Sequence, residues 1–91
     1  MELPPFPSLE GLQARLAATR EWAYRLIRLK PCPTATNLAR LALDDLNEAE
    51  RLLEQPAVGD KPHTLRAVDV CLEVAQWRLR GADQIIDDDA R

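Results

Sequence analysis

The chain has 91 residues, 46% of them apolar and 30% charged, with three glycines, seven prolines and two cysteines. At this length it makes one domain with a small core, hiding about 60 to 65% of the surface its unfolded form exposes, and its wealth of Ala, Leu, Arg, Glu and Asp favours helix over strand. A net charge of -3 is the wrong sign for a generic phosphate-backbone binder and too weak for a nucleic-acid mimic.

Residues 1–8, MELPPFPS, read as an extended N-terminal segment. They lack the basic start and apolar run of a secretion signal, and no stretch of the chain approaches the roughly 18 uninterrupted apolar residues of a membrane span. A cytoplasmic protein is expected, with Cys32 and Cys71 as free thiols. Proline-rich breaks at 4–7, 31–33 and 55–62 then divide the chain into three segments.

The first segment, 9–29, follows a candidate cap at Ser8 and repeats Leu9, Leu12, Leu16, Thr19, Ala23 and Leu26 at helical spacing. Trp22, Ile27 and Leu29 widen that face. Arg15, Arg20, Arg25, Arg28 and Lys30 interleave with Trp22 and Tyr24, as on a nucleic-acid surface. They spread around most of the circumference, however, and Trp22 points to the apolar side. The simpler expectation is that these cations pair with the acidic second helix, since residues 31–60 hold six acidic groups and two basic ones.

The second segment, 35–54, follows Pro33 and Thr34 and sets Ala35, Ala39, Ala42, Leu46, Ala49 and Leu53 on one side. Leu38, Leu41 and Leu52 extend the edge. Asn37, Arg40, Asp44, Asn47, Glu48, Arg51 and Glu54 form a solvent face. Asp45 is the exception, because helical geometry sets it between Leu38 and Leu52, where a carboxylate is costly unless paired. Arg15 or Arg20 is the expected donor.

The third segment, 62–86, starts at Pro62 with Asp60 as a candidate cap and keeps its apolar phase across Gly81, so one continuous helix is expected. It carries two ladders. Leu65, Val68, Leu72, Ala75, Leu79, Ala82 and Ile86 make the first; Ala67, Val70, Val74, Trp77 and Gly81 make the second, about 140° away. With Cys71 and Ile85 between them, the apolar arc covers roughly 240°, broken only by Arg78, against about 140 to 180° for a helix with two neighbours. Residues 87–91, DDDAR, read as a solvated tail whose carboxylates oppose the helix dipole and favour fraying.

The expected fold is all-α, an up-down-up three-helix bundle completed by dimerisation or by a partner helix. Chemistry is sparse. Asp44, Asp45 and Glu48, with Asp83 and Asp87, resemble in kind the metal-binding helices of all-α nucleotide pyrophosphohydrolases, whose resemblance would imply a Mg²⁺-dependent hydrolase. The chain departs from that pattern: it has DDLNE at 44–48 and DQIID at 83–87, where the family carries E-E-x-x-E and E-x-x-D. Cys32, His63 and Cys71 have no familiar zinc spacing. One histidine beside a proline supports no catalytic triad, and no glycine-rich phosphate loop occurs.

The leading expectation is therefore a non-catalytic, cytoplasmic interaction protein, such as an adaptor, an accessory subunit or an inhibitor, with no cofactor and no metal. It would present Ala67, Val70, Cys71, Val74, Trp77 and Gly81 to a second copy or another protein. The alternatives are a metal-dependent nucleotide hydrolase and a nucleic-acid-binding regulator using the basic first helix. The remaining possibility for Trp77 is that it folds over the 55–61 loop and completes a monomer core.

Overall fold

The computed structural model describes residues 8–29 and 32–89. Within them the chain is all-α. Helix α1 spans Leu9–Arg28, α2 spans Pro33–Leu53 and α3 spans Pro62–Asp89, with a short 3-10 turn at Val58–Asp60 before α3. The extended reading of residues 1–7 and the end of the acidic tail at Ala90 and Arg91 fall outside the described residues.

Each helix start has a local cause. Ser8, extended at φ -77° and ψ 147°, accepts a hydrogen bond from the Gly11 amide on its Oγ at 3.0 Å, satisfying one of the orphan donors of α1. Gly11 makes room for that cap, since a Cβ there would lie 2.8 Å from the Ser8 Oγ. Helix α2 begins at Pro33, ahead of the expected residue 35. Pro33 at the first position has no amide to satisfy, and Cys32 in front of it makes no side-chain cap. The expected cap Asp60 lies instead in the 3-10 turn, and Lys61 precedes α3, its carbonyl accepting from the Leu65 amide at 3.0 Å. Ala57 turns the chain with a left-handed φ of 55°, which drops Val58 into the core.

Helix α3 is continuous across Gly81, as expected, but does not end at Ile86. Asp87, Asp88 and Asp89 are helical. The expected frayed tail rested on the dipole penalty, about 0.3 to 1 kcal/mol per exposed carboxylate, and two side-chain bonds oppose it. Gln84 Nε2 donates to Asp88 Oδ1 at 3.1 Å, and Trp22 Nε1 donates to Asp83 Oδ2 at 3.0 Å, holding the last turns to α1.

Cross-helix contacts fix the topology. Arg15, Thr19 and Trp22 of α1 meet Asp69, Gln76 and Asp83 of α3 in that order, so α1 and α3 run in the same direction. Leu38 lies beside Gly81 and Asp45 pairs with Arg78, so α2 runs opposite to α3. This is the up-down-up bundle.

The core joins Leu12, Leu16 and Leu26 of α1 with Leu46 of α2 and Leu65, Val68, Leu72 and Leu79 of α3. Between them Ala35, Ala39, Ala42 and Ala49 on α2 and Ala75 and Ala82 on α3 are fully buried. Small residues on facing sides let two helices approach closely and pack to interior density. Thr19 is the one buried polar side chain among the described residues, and Gln76 Nε2 donates to its Oγ1 at 3.4 Å. No helix among the described residues is long and apolar enough to cross a membrane.

Candidate protein interface on the third helix

The two ladders of α3 meet different surroundings. Leu65, Val68, Leu72, Ala75, Leu79 and Ala82 are buried, because that stripe faces α1 and α2. The other stripe faces outward: Val70 is 52% exposed and Trp77 is 72% exposed, with Ala67 open and Cys71, Val74 and Gly81 half-buried. The 55–61 loop does not cover Trp77. It sends Val58 into the core instead, and the indole stands clear of it.

Trp77 forms a ridge between two grooves. On the α2 side lies an open groove of about 400 Å³, lined by Leu38, Trp77, Arg78, Arg80 and Gly81, almost wholly apolar. On the α1 side a second groove of about 370 Å³ is polar, lined by Arg15, Glu73, Gln76, Trp77 and Arg80. Gly81 leaves part of this groove open; a Cβ there would occupy space next to Leu38 Cδ1, 3.7 Å away. Leu41, 44% exposed, continues the apolar surface along α2. Leu38 and Leu41 read in the sequence as a mere edge of α2. The place of Leu38 beside Trp77 depends on the antiparallel α2–α3 pairing, which no local pattern reveals.

Asp45 is paired, but not with α1. Arg78 Nε donates to its Oδ2 at 2.9 Å, with both side chains roughly a quarter to a third exposed, 26% and 30%. The expected donors are engaged elsewhere, because Arg15 pairs with Asp69 on α3 and Arg20 with Glu50 on α2. Arg20 therefore meets the acidic helix as expected, while Arg15 does not. Arg28 pairs with Glu21 at 3.4 Å within α1, so the cations of α1 are dispersed rather than massed into one surface.

The carboxylates do not converge either. Asp44 and Asp87 are exposed, Asp45 holds Arg78, Asp83 accepts from Trp22 Nε1, and Glu48 pairs with Arg51 in the next turn. That Arg51 hydrogen bond holds the Glu48 carboxyl below the usual range. Among the described residues no three His, Cys, Asp or Glu side chains form a group that could hold a metal ion. Cys32 and Cys71 are free thiols, and His63 is exposed. Burial pushes the Cys71 thiol up, and the nearby Glu48 and Asp45 carboxylates push it further.

The chain matches no protein-family model, no curated protein and no solved structure. The functional reading therefore rests on the chemistry of this surface.

Proposed function

We propose that this is a small cytoplasmic interaction protein, an adaptor, accessory subunit or inhibitor, that works without catalysis by docking its Trp77 face onto an apolar helix of another protein chain. The observation that carries the reading is Trp77 itself, 72% exposed in the middle of a rigid helix and bordered by an apolar groove. Burying a large apolar side chain stabilises an assembly by about 1.5 to 3 kcal/mol, and exposed aromatic anchors beside a groove are the usual centres of binding energy. Val70, Val74, Leu38 and Leu41 supply the surrounding apolar area. Two unpaired thiols suit a reducing cytoplasm.

The test compares the full chain with Trp77→Glu, which keeps the helix and places a charge on the face. Sedimentation velocity and affinity capture from an extract of the source organism are read together. Wild type is expected to associate, with itself or with a captured protein, and Trp77→Glu is expected to lose that association while staying helical. A monomeric wild type that captures nothing beyond what Trp77→Glu captures would overturn the reading.

A further inference from the structure

The outward stripe of α3 has the pattern of a two-stranded coil seam. Ala67, Val70, Val74, Trp77 and Gly81 alternate spacings of three and four, the a and d positions of a heptad. The positions next along the chain from Val70 and Trp77 are Cys71 and Arg78, on the α2 side, where Asp45 holds Arg78. The positions just before Ala67, Val74 and Gly81 are Arg66, Glu73 and Arg80, followed a heptad later by Asp87, so this flank alternates in sign. Glu73 and Arg80 are exposed, and among the described residues neither takes part in an ion pair.

We infer that the occupant of this face is α3 of a second copy, packed antiparallel with Glu73 opposite the partner's Arg80 and Arg80 opposite the partner's Glu73. This rests on the interaction reading above and names its partner. Charge and size both select the arrangement. Antiparallel pairing sets these flanks of two copies against each other, and the alternation makes each cross-pair opposite in sign, with Arg66 and the partner's Asp87 outside the central pairs. Flanking charges of this kind decide the orientation of paired helices.

The same register brings Trp77 against the partner's Val74 and Val70 against the partner's Gly81, so large meets smaller in the four central layers, and Ala67 at either end faces the partner's Gln84. A parallel pairing would instead stack Trp77 on its own copy and Gly81 on its own copy, crowding one layer and hollowing the next, both of which destabilise a packed contact. The groove beside Gly81 is where the partner's Val70 fits. Ridge and groove on one surface give the self-complementarity that a two-fold contact needs. From Val70 to Gly81 the paired apolar seam is only about 16 Å long, so the dimer is a modest one.

The experiment measures the mass of the full chain by sedimentation for wild type, Glu73→Arg, Arg80→Glu, the double variant and an equal mixture of the two single variants, with circular dichroism as the folding control. Both positions are exposed, so each variant is expected to stay helical. Wild type and the double variant are expected at twice 10.3 kDa at tens of micromolar. Each single variant alone sets like charges together and is expected to dimerise at least about tenfold more weakly. Mixed, the two single variants are expected to recover the dimer, because each reversed side chain again meets its opposite.

Single variants that dimerise as well as wild type, or a mixture that stays at 10.3 kDa, would overturn the register. A monomeric wild type would overturn self-pairing. A dimer lost in Trp77→Glu but indifferent to charge reversal keeps the interaction face and overturns this arrangement, whereas a dimer indifferent to all of them overturns both.

Discussion

Arg78 reaches across from α3 to donate its Nε hydrogen to Asp45 Oδ2 at 2.9 Å, closing the α2–α3 seam on the side away from α1. Each member interrupts an otherwise apolar arc of its own helix, and the two interruptions coincide. Asp45→Leu is therefore expected to leave Arg78 without its acceptor and to lower stability by about 1 kcal/mol, the upper value for a solvent-accessible ion pair. Asp45→Leu with Arg78→Leu should recover most of that loss, because two apolar side chains then replace the pair. Urea denaturation of the four proteins in a double-mutant cycle checks it. Additive losses would mean that the pair is incidental.

The bond from Trp22 Nε1 to Asp83 Oδ2 at 3.0 Å ties α1 to the last turns of α3. Trp22→Phe keeps most of the apolar bulk and removes the donor. The expected loss is about 0.5 to 1.5 kcal/mol, read as a drop in melting temperature, with faster amide exchange from Gln84 to Asp89. If exchange there is unchanged, α3 reaches Asp89 for another reason.

These two contacts show where sequence reading stops. The ladders of α1, α2 and α3 were legible because burial repeats every three or four residues, and the buried stripe of α3 is the one its spacing marks. Gly81 was legible as an internal helix residue because the phase holds on both sides of it. The end of α3 was not, since the acidic run argues for fraying and Trp22, far away in the chain, argues for order. The partner of Asp45 was misread for a related reason. Arg78 was visible only as a break in an apolar arc, and its role depends on the register of α2 against α3. The site shows the same division, with the outward stripe readable along one helix and the Leu38 wall of its groove readable only in three dimensions.

The Cys71 thiol is pushed above its ordinary value of 9.0, by burial first and by the Glu48 and Asp45 carboxylates next. The folded chain thus holds this proton more tightly than the unfolded chain. Below 9.0 both states keep the proton and the site is silent. Above it the unfolded chain ionises first, so stability falls as pH rises through 9.0 and on through the raised folded value. Urea midpoints taken from neutral to alkaline pH are expected to fall less steeply in Cys71→Ser than in wild type. In the folded protein, alkylation of Cys71 should also lag behind that of the unfolded chain at mildly alkaline pH, since the thiolate is the reactive form. Equal rates would remove the effect.

Gly81 weakens α3 by about 1 kcal/mol relative to Ala, and nothing within one chain requires it. Its Cβ would rest 3.7 Å from Leu38 Cδ1, an ordinary contact. Gly81→Ala is therefore expected to stabilise the dilute monomer by about 0.4 to 1 kcal/mol, mainly by restricting the unfolded chain. The added methyl also enters the groove next to Trp77, the space assigned to Val70 of a second copy, and overpacking a fitted contact is unfavourable. Association is then expected to weaken in the same variant that folds more firmly. Thermal melts at low concentration give the first quantity and sedimentation at high concentration gives the second. Opposite signs are the signature of a glycine kept for docking. If Gly81→Ala raises monomer stability and leaves self-association intact or stronger, the groove beside Trp77 is not where the second helix lies.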